Sequence, residues 1–181
     1  MKEIKLQIPE GKKAEWVNNV LTLVDEKPQD VTDRIKTFDD AIRELGENHP
    51  LVKEWAVLGQ NLSPDLEAYL RLRIITAALN EGWEPQFTKG ECRWYPWFTL
   101  WTEEELKDKT KEWKKEHSLW LFGGNSYSGS YCGLAYSTSA RAWSGSHANI
   151  SARLAVKSKE LAVYFGKQFV EIWADYVLIR K

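Results

Sequence analysis

The side chains that could do covalent or metal chemistry here are three histidines, two cysteines and a dense run of serines and tyrosines between residues 123 and 147. His49, His117 and His147 are scattered, and none lies at metal-site spacing from a second ligand. Cys92 and Cys132 are 40 residues apart and match no zinc or redox spacing. The expectation for them is two reduced, buried thiols, because cysteine is often fully buried. Several serines neighbour His147, yet no carboxylate stands ready to orient its ring, so a Ser-His-Asp arrangement is not supported. Gly123 and Gly124 lack the Gly-Lys-Ser/Thr that completes a phosphate loop. No catalytic residue, metal ligand or cofactor is assigned.

The serine run calls for a different chemistry. Residues 123–147 read GGNSYSGSYCGLAYSTSARAWSGSH and hold no Lys, Asp, Glu, Gln, Met or Pro, although the whole chain is 28% charged. A linker would scatter Gly and Ser without pattern. Here Cys132, Leu134 and Tyr136 alternate with Tyr131, Gly133 and Ala135, which predicts a strand. Ile150, Ala152, Leu154 and Val156 alternate again and predict another. The Ser, Tyr and Gly residues then cluster in loops between ordered strands. Antibody paratopes use the same composition: Tyr brings contact area at low entropy cost, and Ser, Gly and Asn bring adaptable hydrogen bonds. The composition favours a binding surface over a catalytic one.

The rest of the chain must position that surface. Its 181 residues, 43% apolar with ten Trp, suffice for one domain with a proper core. A net charge of −1 offers no field for nucleic acid or anionic membranes. No apolar run approaches a membrane span, and the start, MKEIKLQIPEGKK, has no secretory h-region. Ile4, Leu6 and Ile8 alternate as a strand, and two further short strands flank Asn18 and Asn19. Ile35, Phe38, Ala41, Ile42 and Leu45 then recur at helical spacing up to Gly46. Asn48 or His49 opens the next helix at Pro50, and Ser63 caps a third that runs to Gly82. The aromatic run CRWYPWFTLW at 92–101 could stack sugars or bases, but reads first as a core strand made irregular by Pro96. Thr102 caps one exposed helix over TEEELKDKTKEWKKEH, with Leu106, Thr110 and Trp113 inward. Ser158 caps a C-terminal amphipathic helix whose apolar side carries Leu161, Phe165, Phe169, Ile172, Trp173 and Tyr176.

Within this frame, Gly123, Gly124 and Asn125, then 132–136 (CGLAY), then Ala142 and Trp143, then Ala148, Asn149, Ile150 and Arg153 follow one another as four anchors. Together they resemble the C-terminal variable region of diversity-generating retroelement target proteins, over about 36 residues. Ser151 departs from that pattern, in which Gly is common. The resemblance implies a C-type-lectin-like fold related to the formylglycine-generating enzymes. In that family, adenine-directed mutagenesis turns Asn codons into Ser, Tyr, Gly, Thr, His, Arg or Asp, but not Lys, Glu, Gln or Met. The residues between the anchors keep to that limit. The implied ligand-facing set is Asn125, Ser126, Tyr127, Ser128, Ser130, Tyr131, Ser137, Thr138, Ser139, Arg141, Ser144, Ser146 and His147. Enzymes of the related fold use a close cysteine pair, and iron-dependent relatives a histidine cluster; this chain has neither pattern. Glu84, Pro85 and Gln86 only superficially match the Glu-Pro-Asn triplet of calcium-dependent lectins.

The expected fold is α+β. Strands and a helical block in 1–90 are integrated with a C-type-lectin-like display region and a C-terminal helix in 91–181, as one compact unit. The expected function is non-enzymatic binding of a protein or glycan ligand on a cell surface, with no nucleic acid and no membrane insertion. Such proteins are encoded by phages and prophages of gut bacteria, so the expected setting is synthesis in the bacterial cytoplasm without a signal peptide and association with a virion. The alternative is a phage structural or assembly protein with fixed loops that forms a homo-oligomer.

Overall fold

The computed structural model describes residues 7–25, 30–59, 61–86, 88, 90–122, 131–143 and 152–179, with backbone alone at 25, 140–143 and 152. A hairpin of β1 (Lys12–Val17) and β2 (Val20–Asp25) comes first, and its turn places Asn18 and Asn19 at φ 49° and 64°. Two successive positive φ values match the twist of a two-residue hairpin, and asparagine tolerates them. The strand expected at Ile4 and Leu6 falls outside the described residues, while Ile8 is exposed and unpaired in any strand.

Four helices follow: α1 (Val31–Arg34), α2 (Phe38–Leu45), α3 (Pro50–Leu58) and α4 (Pro64–Asn80). The periodic run from Ile35 to Leu45 is not one helix. Thr37 and Asp40 form a reciprocal capping box that starts α2 afresh. His49 caps α3 through Nδ1, which accepts the Leu51 N–H. Ser63 precedes Pro64 as expected, yet gives α4 no side-chain cap. Glu81 ends α4 in the left-handed region at φ 50°. Its carboxylate accepts from Lys157 Nζ at 2.8 Å and Arg34 Nη2 at 2.7 Å, and these bonds hold its pKa below the ordinary glutamate value.

The sheet is antiparallel, in the order β3 (Cys92–Thr102), β5 (Tyr131–Trp143), β4 (Trp120–Leu121). Between β3 and β4 the expected single helix is two, α5 (Glu103–Lys107) and α6 (Lys111–Glu116). Thr102 caps the first through a capping box with Glu105. Thr110 is no inner-face residue; its Oγ1 accepts the Trp113 N–H and begins the second. Of the expected strand at 150–156, residues 150 and 151 lie outside the described residues, and the rest is corrected. Ala152–Leu154 is a 3-10 turn, and Val156 alone pairs, through two backbone bonds to Trp94. Leu154, Ala155 and Val156 are buried in succession, which a half-buried alternating strand does not allow. The Asn80 side chain supplies the missing ladder: Nδ2 donates to the Ala155 carbonyl at 2.9 Å and Oδ1 accepts from Lys157 N at 3.0 Å.

The C-terminal helix is likewise broken. α7 (Lys159–Gln168) starts at the expected Ser158 cap, and Phe169 at φ −115° separates it from α8 (Val170–Val177). The break lets three consecutive residues, Ile172, Trp173 and Ala174, be buried. These helices are central to the protein. Leu161, Phe165, Phe169 and Trp173 share one core with Val31, Ile35, Ala41, Leu72, Ile75 and Leu79, so both halves of the chain contribute to it. Tyr164 ties them further by donating to the Ile35 carbonyl at 2.6 Å.

Burial, and then the nearby carboxylates of Asp33, Asp40 and Asp30, push the Tyr164 pKa from the ordinary 10 up to about 12. The unfolded chain therefore ionises this phenol first. Its contribution to stability is complete below pH 10 and is lost as pH rises toward 12. Tyr164→Phe is expected to flatten the alkaline limb of a stability-versus-pH curve from urea titrations and to lower stability at neutral pH by about 1 kcal/mol, the worth of one hydrogen bond. An unchanged alkaline limb would contradict the burial of this hydroxyl.

Candidate functional site

The central strand β5 is covered on both faces over residues 133–136 and opens at Ser137. Leu134 packs with Ala174 of α8 and with Leu178 just beyond its end. On the opposite face a Cβ at Gly133 would meet the Cδ1 atoms of Leu106 and Leu119 at 2.9 and 3.0 Å, so any larger residue would require those side chains to shift. Tyr136 lies against α7, where Lys167 Nζ stands 5.4 Å from its ring centre.

A bulge then re-aims the strand. Trp97 pairs with Thr138 and Phe98 with Tyr136, which leaves Ser137 as the extra residue on β5. Phe98 packs on Trp173 in the core, so by alternation Trp97 points to the other face, and Thr138 opposite it points the same way. Trp97 is 47% exposed, and Ser137 and Thr138 are exposed beside it. Ser139 falls on the inner side, where its Oγ lies 2.7 Å from the Tyr136 hydroxyl. Without the extra residue, Tyr136 and Ser139 could not share a face.

The structure thus exposes Ser137 and Thr138 in the middle of one strand beside Trp97, whereas Ser139, expected to face a ligand, turns inward to Tyr136. Tyr131 is exposed at the start of β5, six residues before Ser137, or roughly 20 Å along an extended strand. Arg141 is placed by its backbone alone, opposite Trp94. Asn125, Ser126, Tyr127, Ser128, Ser130, Ser144, Ser146 and His147 lie outside the described residues. No family model, curated protein or solved structure matches the chain.

Trp97 is the site residue that sequence reasoning folded into the core. Its legible signal was Pro96, since proline in a strand marks an edge or an irregularity. The other aromatics of the run are engaged. Trp94 and Phe98 pack on the core, and Tyr95 is buried. Trp101 meets Trp113 edge-on at 5.1 Å, with Lys109 Nζ 4.5 Å from its ring centre and 5.0 Å from that of Trp113.

The chemistry-bearing side chains are dispersed. His49 serves as a cap, and His117 stacks on Trp113 at 4.3 Å while its Nδ1 approaches the Trp113 carbonyl. Ser139 meets a tyrosine hydroxyl and not an imidazole. The two thiols, expected to be buried, are both half-buried and free. Register explains why they do not meet: Cys92 pairs with Trp143 at one end of the β3–β5 ribbon, and Cys132 is the extra residue of a second bulge at the other end. Among the described residues no group of His, Cys, Asp and Glu is placed to hold a metal, and no helix is long and apolar enough to cross a membrane.

Proposed function

We propose that this protein is a non-enzymatic binding protein that displays a Ser/Tyr/Gly-rich face to a macromolecular ligand on a cell surface. The observation that carries the reading is the bulge at Ser137. It holds the Ser137 and Thr138 side chains outward on a strand whose neighbouring residues 133–136 are buried, beside the exposed Trp97 of β3. Tryptophan is enriched among contact hot spots, and a rigid scaffold spares the binding step the entropy of ordering a loop. A C-type-lectin-like fold of the retroelement-diversified kind, in a phage or prophage setting, is consistent with this face and with the four anchors.

Two experiments test it. At the encoding locus, a reverse transcriptase with a near-copy template repeat is expected; their absence leaves a display protein with fixed loops. On a glycan array and on intact gut-bacterial cells, Trp97→Ala and Thr138→Lys are expected to lower binding about 30-fold, the loss of one hot-spot residue. Melting should change little, as for exposed positions generally. Undiminished binding by both variants would remove this face from the function.

A second reading is favoured by one observation. The β1–β2 hairpin exposes Trp16 (74%) beside its cross-strand partner Leu21, with Leu23 on the same face, and an isolated hairpin is marginal in water. The chain would then be an assembly protein that oligomerises through this ribbon. Light scattering decides it: a strict monomer at high concentration argues for display alone.

A further inference from the structure

Away from the display strand, a cleft of about 570 Å³ opens between the start of α3, one stripe of α4, the segment after α4 and the turn before Val156. Arg73, Thr76, Ala77 and Asn80 recur at helical spacing and form its floor. Its size is that of a small-molecule site. Pro50, Leu51, Trp83, Pro85 and Ala155 supply apolar walls, and His49 and Arg153 also line it.

The polar groups differ in how they are used. Both ends of the Asn80 amide are committed to Ala155 and Lys157, so Asn80 builds the cleft and offers nothing to a guest. Arg73 is held by Glu54, with Nη1 3.0 and 3.3 Å from the two carboxylate oxygens. His49 Nδ1 accepts the Leu51 N–H, which leaves its proton on Nε2 and makes the ring a donor. Thr76 is the exception. It is only 3% exposed, it lines the cleft, and its Oγ1 finds no hydrogen-bond partner among the described residues. A hydroxyl on a helix ordinarily bonds back to its own turn or reaches water. A buried orphan carries a desolvation cost that a bound acceptor would remove.

The geometry points to a binding site for a small organic anion: a carboxylate or phosphate ester that accepts from Thr76 and pairs with Arg73, on a flat ring that lies against Trp83 and Pro85. The lining donors are the Thr76 hydroxyl, the Arg73 and Arg153 guanidinium groups and the His49 ring. The apolar groups form walls. The single lining carboxylate, Glu84, is exposed, so it screens the floor charge weakly. Guanidinium binds carboxylate and phosphate alike, because its planar fork matches both. The site is independent of the display face and stands or falls separately from it.

The test uses the full chain with phenyl phosphate and benzoate, each followed by two-dimensional amide NMR. The Trp83 indole peak is assigned by its loss in Trp83→Phe. Both anions are expected to shift that peak saturably at millimolar concentration, inorganic phosphate to bind more weakly, and benzyl alcohol not to bind. Thr76→Val keeps the side-chain shape and removes the hydroxyl. It should weaken both anions about tenfold, the worth of one hydrogen bond to a charged group, with the melting temperature unchanged or raised. Equal binding by the valine variant, equal binding of benzyl alcohol, or no saturable shift with either anion would overturn the proposal. The anion that binds more tightly identifies the acidic group.

Discussion

Trp173→Ala is expected to destabilise the protein by about 3–5 kcal/mol, the cost of emptying a tryptophan site in a packed core. The ring is 2% exposed and sits where the helical block, the sheet and the two last helices meet. It touches Phe165 at 5.0 Å, Phe98 at 5.5 Å and Tyr176 at 6.0 Å between ring centres. Surrounding elements cannot collapse into the space, because Phe98 belongs to β3 and Phe165 to α7, and each is held by its own backbone bonds. For a chain of this size that loss corresponds to roughly 6–20 °C in melting temperature. Calorimetry checks it. Trp173→Phe should be much milder: it keeps a ring in place and discards an indole N–H that is buried without a partner among the described residues. A small effect of Trp173→Ala would mean that α8 does not dock on the sheet as described.

The second large effect is expected at Gly166. It lies inside α7, where glycine is ordinarily a liability of about 1 kcal/mol relative to alanine. Here a side chain has no room: a Cβ would stand 2.5 Å from Pro96 Cβ and 2.8 Å from Tyr136 Cδ2. Gly166→Val must push α7 off the sheet. The expected cost is about 3 kcal/mol, near the upper end for overpacking, measured by urea titration. Gly166→Ala should have the same sign and a smaller size, despite the better helix propensity of alanine. The consequence reaches the candidate site, because Tyr136 bonds Ser139 across the Ser137 bulge. Chemical shifts of Ser137, Thr138 and Ser139 are therefore expected to move in the alanine variant, while those of the β1–β2 hairpin stay fixed. A neutral Gly166→Val would refute the close approach of helix and strand.

Local chemistry made much of this legible in advance. Asn18 and Asn19 mark the hairpin because few residues accept two positive φ values in succession. Thr102 and Ser158 mark helix starts because a hydroxyl satisfies an orphan N–H within three residues. The apolar residues of the last helices carry their period, and five of the six named are buried. Periodicity failed wherever a second cap was hidden inside a run. Thr37 and Thr110 each restart a helix that the apolar spacing reads as continuous. It failed again at 152–156, where the partner of the backbone is a side chain 75 residues away, Asn80, that no local window contains.

The candidate site divides in the same way. Residue types along the chain sufficed to expect polar side chains on a strand at Ser137 and Thr138, since side-chain entropy and hydrogen-bonding capacity belong to each residue separately; most of the expected ligand-facing set lies outside the described residues. Which of them face outward depended on the pairing of β5 with β3. One unpaired residue at Ser137 reverses the alternation of β5, brings Thr138 to the surface beside Trp97 and turns Ser139 inward. Register is a property of two distant segments held together by the helices packed behind them, so it exists only once the chain is folded.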